Sequence, residues 1–261
     1  MKRVSSRDNP QYRRLWQLAH SSKVRREQHQ TLLDGVHLVQ AYAAAFGLDN
    51  TQLVLRASAV DHPEIGALVA QQGAREPLVL ADGLFDAVSP VETPVGVIAA
   101  ISIPTAIPAR PDLGGFSVFL DGVQDPGNLG SILRSAAAAG AKDVFLSAGS
   151  ADPWSPKCLR GGMGAHFQLA IMERVDLADA AGKYAGRLVA ADGSAGQSLY
   201  DADLSGPVAF ILGAEGQGIS TALERLAGLR VRIPMAAGVE SLNVAAAAAV
   251  LFYEWRRRAA R

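Results

Sequence analysis

Residues 120–146, LDGVQDPGNLGSILRSAAAAGAKDVFL, contain the pattern from which the fold class is predicted. Asp125-Pro126-Gly127 favours a turn after a strand, and Asn128 stands where the N-cap of a helix is expected. The helix that follows has an apolar face, and Arg134 lies on its other side. A strand, a helix and a second strand predict a parallel βαβ unit that binds ligands at the carboxyl ends of its strands. A capped helix with one surface arginine would give the same pattern.

The alternation of strands and helices continues to the end of the chain. Strand-like runs are separated by helical, alanine-rich segments: FSVFLDG, DVFLSAG, RLVAADG and PVAFILGAEG. Such spacing is typical of an α/β domain built on a parallel sheet. The sequence therefore predicts an α/β domain over residues 116–261.

The first part of the chain has a different pattern. Residues 11–46 have helical periodicity, and three short β-rich runs follow: TQLVLRA, EPLVLAD and TPVGVIAAIS. We expect a small α/β domain over residues 1–103. Residues 104–115 are rich in proline and end in two glycines, a composition that disfavours helix and central strand, so they are the predicted linker. A length of 261 residues fits two domains.

The charge of the chain is unevenly distributed although its formal net value is zero. Residues 1–30 contain eight basic and two acidic residues, and residues 31–110 are acidic overall. A basic segment of this kind is suited to gripping a polyanion such as RNA, but it could equally be a solvated helix face.

Several classes of protein do not fit the composition. Cys158 is the single cysteine, which excludes an intrachain disulfide, and no motif has metal-ligand spacing, so no metal is expected. The basic N-terminus has no apolar core like that of a secretory signal. The longest apolar run, residues 244–253, is about half of the length that a membrane span needs, so no membrane is expected. We expect a cytoplasmic protein.

A second segment, PVAFILGAEGQGISTALERLA at residues 207–227, reads as strand, glycine-rich turn and helix. Its glycine order reverses the dinucleotide fingerprint, and the chain has no P-loop, so NAD and nucleoside triphosphate sites are disfavoured. Glu215 is the one acidic residue of the turn. Its carboxylate could be functional, or it could simply favour the start of the next helix.

A third segment, VRIPMAAGVESLNVAAAAAVLFYEWRRR at residues 231–258, reads as a short strand, an irregular loop and a helix that begins with alanines. Small residues permit close backbone packing, as a dense interface or a threaded chain would require. The alternative is that alanine merely favours the helix.

Together the three segments resemble the SpoU (TrmH) family of SPOUT methyltransferases. Three stretches carry the resemblance: Asn128, Gly130, Arg134 and Ala136; LGAEGQG at 212–218; and IPM at 233–235 with SLNV at 241–244. It covers residues 113–261 strongly and extends less firmly to TLLDGVHLVQAY at residues 31–42.

The resemblance implies an RNA 2'-O-ribose methyltransferase that takes its methyl group from S-adenosyl-L-methionine. It also implies a C-terminal SPOUT domain with a deep trefoil knot and an N-terminal RNA-binding domain like a small ribosomal protein. A homodimer through the knotted domain is implied as well, with Phe252, Tyr253 and Trp255 of the last helix packed across a two-fold axis. Both rRNA and tRNA remain open as the substrate.

The resemblance also assigns site residues. The implied catalytic residues are Asn128, Arg134, Glu215, Ser241 and Asn243. The implied cofactor-binding residues are Leu212, Gly213, Gly218, Ile233, Met235 and Leu242. We expect RNA contacts from Arg7, Arg13, Arg14, Arg25, Arg26 and Arg160. Because arginine stays protonated in proteins, we expect Arg134 to hold a phosphate or the reacting oxygen rather than to accept a proton.

Two other functions compete with this hypothesis. A non-catalytic RNA-binding protein could have the same fold, although Asn128, Arg134 and Asn243 are intact. An unrelated α/β nucleotide-binding enzyme is disfavoured by the missing phosphate-loop and dinucleotide motifs.

Overall fold

The computed structural model describes residues 1–73, 75–105 and 116–259. Most of the predicted linker, residues 104–115, lies outside these ranges. The described residues form two compact units. Unit 1 comprises the described residues before position 106 together with Trp154–Phe167, and unit 2 comprises residues 116–153 and those from Gln168 onward.

Unit 1 is built on a mixed five-stranded sheet. The strands are β1 (Lys2–Val4), β2 (Gln30–Asp34), β3 (Gln52–Arg56), β4 (Leu78–Leu80) and β5 (Val97–Ser102), in the order β1-β4-β3-β5-β2. β1 and β3 pair parallel with β4, and β5 pairs antiparallel with β2 and β3. The helices are α1 (Pro10–His20), α2 (Ser22–Gln28), α3 (Val36–Phe46), α4 (Pro63–Gln71), α5 (Asp82–Asp86) and α7 (Pro156–Gly162). The three β-rich runs of the sequence thus form β3, β4 and β5.

The helix α1 covers part of this sheet because its apolar residues share one face. Asn9 caps the helix, since its side chain accepts a hydrogen bond from the Gln11 backbone N–H, and Pro10 occupies the first turn. Tyr12, Leu15 and Leu18 are buried and pack with strand residues such as Leu32, Val54, Leu78 and Ile98.

The segment Trp154–Phe167 belongs to unit 1, whereas the sequence analysis placed it within residues 116–261. Thr31 Oγ1 donates a hydrogen bond to the Trp154 carbonyl oxygen at 2.5 Å. The Phe167 ring packs edge-on against Tyr42 at 5.4 Å and Phe46 at 6.0 Å between ring centroids. Long-range aromatic packing therefore decides where this segment lies, and its local sequence pattern does not reveal it.

Unit 2 is an α/β unit on a parallel sheet. Its described strands are β6 (Ser117–Asp121), β7 (Asp143–Leu146), β8 (Ala170–Met172), β9 (Arg187–Ala191), β10 (Gln197–Ser198), β11 (Val208–Gly213) and β12 (Leu229–Arg232). They have the order β10-β12-β9-β11-β6-β7-β8, and every neighbouring pair among them is parallel. The α-helices are α6 (Pro126–Ala139), α8 (Leu177–Gly182), α9 (Thr221–Leu226) and α10 (Val244–Ala259). The α/β prediction with a parallel sheet is confirmed.

The last helix, α10, packs against α6 and against β11. Phe252 and Trp255 lie 5.0 and 4.8 Å from Phe116 between ring centroids, and both are buried within their own chain. The expectation that these two residues pack across a two-fold axis is therefore wrong. Only Tyr253 of the three predicted contact residues is exposed.

Within the described ranges, no helix is long and apolar enough to cross a membrane. The same residues contain no group of three or more His, Cys, Asp or Glu side chains that could hold a metal ion.

Candidate active site

The N-terminus of α6 places Asn128 at the carboxyl end of β6. Asp125 is the N-cap: its carboxylate accepts a hydrogen bond from the Asn128 backbone N–H at 2.8 Å, and Pro126 is the first helical residue. The sequence pattern predicts the cap at Asn128, and this prediction is wrong by three residues. Proline suits the first helical position because it has no N–H to satisfy there. The Asn128 side chain is therefore not used as a cap.

Asn128, Glu215 and Asn243 form one hydrogen-bonded cluster, which we call the amide–carboxylate cluster. Asn128 Nδ2 donates to Glu215 Oε1. Asn243 Nδ2 donates to Asn128 Oδ1 at 3.1 Å and approaches Glu215 Oε1 at 3.4 Å. One residue comes from each of the three sequence segments, which are separated by up to 115 positions along the chain. Three of the five implied catalytic residues are thus in contact.

A tight glycine turn holds Glu215 in this cluster. Ala214 and Gly218 exchange backbone hydrogen bonds at 2.9 and 3.1 Å, and Gly216 and Gly218 have φ angles of +84° and +69°. A Cβ on Gly213 would lie 2.1 Å from the backbone of Gly218. Gly213 is therefore required because the chain folds back onto it, and the other two glycines supply the left-handed conformations.

Asn243 is also the N-cap of α10. Its Oδ1 accepts hydrogen bonds from the backbone N–H groups of Ala245 at 2.9 Å and Ala246 at 3.4 Å. Since the amide oxygen is engaged by the helix, the NH2 group faces Asn128 and Glu215. The start of α10 and the amide–carboxylate cluster are thus fixed by the same side chain.

A pocket of about 160 Å³ lies at the carboxyl ends of β9 and β12. Its lining includes Ile233, Met235 and Leu242, which are three of the implied cofactor-binding residues, and Ser241 from the implied catalytic set. The remaining lining residues are Ala191, Asp192, Gly193, Val231, Glu240 and Ala247. Met235 and Leu242 are 37% and 39% exposed, so both present apolar surface to the pocket.

Asp192 and Glu240 are pocket residues that the sequence reasoning missed. Asp192 directly follows the strand-like run RLVAA, so its position at the carboxyl end of a parallel strand was a usable signal. Partial burial acts to raise the pKa of Asp192, but hydrogen bonds from Ser194 and Arg230 outweigh it and lower that pKa overall. Asp192 is thus held as a carboxylate. Among the described lining residues there are two carboxylates and no Lys or Arg.

The remaining implied site residues lie outside the cluster and the pocket lining. Arg134 is exposed on α6, and within the described part of the chain it has no hydrogen-bond or ion-pair partner. Leu212 is buried in β11, while Gly213 and Gly218 form the base of the glycine turn. These three surround Glu215 along the chain but do not line the pocket.

The implied RNA contacts divide into exposed and buried arginines. Arg7, Arg13, Arg14, Arg26 and Arg160 are exposed. Arg25 is 5% exposed, and its guanidinium donates to the carbonyl oxygens of Leu18 at 2.7 Å and Ala19 at 3.2 Å, at the end of α1. The assignment of Arg25 to RNA contact is therefore wrong, because this side chain satisfies the last carbonyls of a helix.

The chain is similar in sequence and in fold to known RNA methyltransferases. The model of the SpoU rRNA methylase family matches residues 115–253. The chain is 35% identical to an uncharacterized tRNA/rRNA methyltransferase of Synechocystis sp., over 98% of this chain and 93% of that protein. It is 32% identical to the 23S rRNA (guanosine(2553)-2'-O)-methyltransferase RlmP of Bacillus subtilis, over 98% of this chain and 100% of that protein. The crystal structure of the SpoU methyltransferase AviRb from Streptomyces viridochromogenes with AdoMet is similar with a TM-score of 0.82 and 27% identity, covering 96% of this chain and 98% of that one.

Proposed function

Because the chain belongs to the SpoU rRNA methylase family, we propose that it is an RNA 2'-O-ribose methyltransferase that uses S-adenosyl-L-methionine. The amide–carboxylate cluster is the observation that carries the proposal. It joins the three segments of the family resemblance, and its member Asn243 directly follows Ser241 and Leu242 of the pocket lining. The substrate is rRNA or tRNA, as in the named relatives.

The pocket residues fit S-adenosyl-L-methionine. Ile233, Met235 and Leu242 present apolar side chains to a nucleoside. The carboxylates of Glu240 and of Asp192, which also pairs with Arg230, can accept hydrogen bonds from ribose hydroxyls. The lack of Lys and Arg among the described lining residues disfavours a nucleotide phosphate. When bound, this cofactor supplies a methyl group on a positively charged sulfur.

The protein's own residues then position the ribose oxygen. The amide–carboxylate cluster fixes the start of α6, the glycine turn and the start of α10 relative to one another. Arg134 lies on α6, six residues after Asn128, and its guanidinium has no ion pair or hydrogen bond among the described residues. We assign it to hold the phosphate or the reacting oxygen through its planar fork, while the proton passes to a neighbouring group or to water.

Unit 2 is proposed to contain the trefoil knot. The path of the chain supports this: β12 pairs with β9, yet α10, which follows it, packs on α6 and β11. On the way, Asn243 contacts both Asn128 and Glu215. In a threaded chain, the segment before α10 must pass close to both the α6 N-terminus and the glycine turn, and Asn243 does so. Knots are rare exceptions in folds.

The remaining parts of the proposal concern organisation. Residues 1–103 together with Trp154–Phe167 form the ribosomal-protein-like RNA-binding domain, residues 104–115 are the linker, and the rest of residues 116–261 form the methyltransferase domain. The chain acts in the cytoplasm as a homodimer through unit 2.

The test is methyl transfer by the purified full chain. Labelled S-adenosyl-L-methionine is supplied with unmodified rRNA and tRNA, and 2'-O-methyl positions are mapped in the product. We expect label in one RNA at one ribose, and we expect calorimetry to detect cofactor binding. Binding of RNA without cofactor binding or transfer would instead identify the non-catalytic RNA-binding protein.

A further inference from the structure

The outer face of α1 has a stripe of polar and aromatic side chains. Arg13, Trp16, Gln17 and His20 have the spacing i, i+3, i+4 and i+7, so they are neighbours on one surface of the helix. The buried residues Leu15 and Leu18 lie on the opposite side, and the buried Tyr12 lies at the edge of the stripe, one turn before Trp16. The stripe is therefore not needed for the core of unit 1.

Trp16 is exceptional in its exposure. Its side chain is 46% exposed, whereas the other two tryptophans, Trp154 and Trp255, are each 6% exposed. The His20 ring stacks on the indole with centroids 4.5 Å apart and an angle of 21° between the planes. His20 Nδ1 is in turn 2.8 Å from the Trp16 carbonyl oxygen. The His20 ring thus holds the indole in place, and nearly half of the Trp16 side chain is exposed to solvent.

The surroundings of Trp16 are concave and basic. A depression of about 400 Å³ is lined by Arg7, Tyr12, Arg13, Trp16, Gln17 and Ala87. Arg7 has no ion-pair partner among the residues that the structure describes, and Arg13 pairs with Asp8 where both side chains are more than 60% exposed. Exposed pairs of this kind are weak, so Arg13 can exchange Asp8 for a phosphate, and Arg7 can bind a phosphate without first breaking an ion pair.

We propose that Trp16 is a stacking platform for an unpaired base of the RNA substrate, with Arg7 and Arg13 on the adjoining phosphates. The inference rests on the proposed function and adds the mode of substrate capture. Unpaired bases are bound by stacking on aromatic rings and guanidinium planes, and a basic groove follows the backbone. An exposed indole beside two arginines offers both interactions, whereas a double helix has no accessible base face. Single-stranded RNA is therefore the occupant that this surface favours.

The experiment measures RNA binding by the full-length chain. The probes are a short single-stranded oligoadenylate and an RNA duplex of the same length, and the variants are Trp16→Ala and Trp16→Phe. Tyr200→Ala is the matched control, since Tyr200 is similarly exposed, at 52%, but lies in unit 2. Trp154 and Trp255 also fluoresce, so the difference in RNA-induced quenching between the wild type and Trp16→Phe reports on Trp16.

We expect Trp16→Ala to weaken oligoadenylate binding by about tenfold or more and to abolish the quenching. Trp16→Phe should retain most of the affinity, and Tyr200→Ala should match the wild type. Duplex binding should change little in any variant. Equal oligoadenylate affinity in Trp16→Ala and wild type, at an unchanged melting temperature, would overturn the inference.

Cofactor binding and methyl transfer by the wild type separate this inference from the proposed function. If the wild type transfers methyl groups while Trp16→Ala binds oligoadenylate normally, only the stacking platform is wrong. If the wild type neither binds the cofactor nor transfers methyl groups, the proposed function fails, and the affinities still decide whether Trp16 stacks on RNA.

Discussion

The oxygen and the NH2 group of the Asn243 amide have different partners. A substitution can therefore keep one set of contacts and remove the other. The oxygen caps α10, and the NH2 group contacts Asn128 and Glu215. The variant Asn243→Asp would keep the cap, because aspartate is as good an N-cap as asparagine. It would place a second carboxylate beside Glu215 and remove both donated hydrogen bonds.

We therefore expect Asn243→Asp to leave thermal stability near that of the wild type but to lower methyl transfer by on the order of tenfold or more. Asn243→Ala should lower both, with about 1 kcal/mol lost from the cap. Calorimetric melting and the rate of label transfer measure the two effects. Normal transfer by Asn243→Asp would show that the amide–carboxylate cluster is only structural.

Arg134 is the second residue whose chemistry can be tested by a conservative change. The variant Arg134→Lys keeps the positive charge but loses the planar fork with its parallel donors. We expect a fall in turnover on the order of 100-fold with RNA affinity retained, because placement of the reacting oxygen depends on geometry. Single-turnover transfer and filter binding measure the two quantities. Unchanged turnover would exclude a special role for the guanidinium. The control variant is Lys142→Arg, which changes an exposed charge outside the site.

Hydrogen bonds connect the end of α10 to the turn at Leu199–Asp201. Glu254 is buried and pairs with Arg257 and Arg258 of its own helix. Arg258 also donates to the carbonyl oxygens of Leu199 at 3.3 Å and Tyr200 at 2.6 Å. Hydrogen bonds from Arg257, and then from Arg258, overcome the effect of burial and lower the pKa of Glu254 to about 2.

Because the folded-state pKa of Glu254 lies below its ordinary value of 4.5, the ionised form stabilises the fold above that pH. The contribution is lost as the pH falls from about 4.5 toward 2. We expect Glu254→Gln to cost on the order of 2 kcal/mol at neutral pH and progressively less in this acidic range. Urea unfolding followed by circular dichroism across that range measures the difference. A difference in unfolding free energy that does not depend on pH would contradict the role of the Glu254 carboxylate. Glu224→Gln on α9 is the control, since the described structure gives the Glu224 carboxylate no partner.

The elements also show what could be predicted from the sequence. Local patterns identified the parallel α/β unit and the glycine turn, because period and turn chemistry are read within a few neighbouring residues. The contact of Asn128 with Asn243 joins distant segments, and only the family resemblance indicated it. The burial of Arg25 and the packing of Phe252 on Phe116 depend on tertiary partners, so the sequence predictions for these residues were wrong.

The uneven distribution of charge along the chain predicts how RNA affinity depends on salt concentration. The formal net charge of the chain is zero, but residues 1–30 are basic. Arg7, Arg14 and Arg26 of this segment are exposed. Each phosphate contact that a cation makes adds about 0.7 to 0.9 to the slope of log affinity against log salt. Alanine at any one of these three positions should reduce the slope by about 0.7 to 0.9.

The same measurement distinguishes RNA contact from general charge. Lys183→Ala removes an exposed cation of unit 2 that pairs with Asp179, so it should leave the slope unchanged. Trp16→Ala should lower affinity at every salt concentration without altering the slope, because stacking releases no counterions. A wild-type affinity that hardly changes between low and moderate salt would refute phosphate contacts by the basic segment. Equal slope losses in Arg14→Ala and Lys183→Ala would show that RNA responds only to total charge, with no defined surface on unit 1.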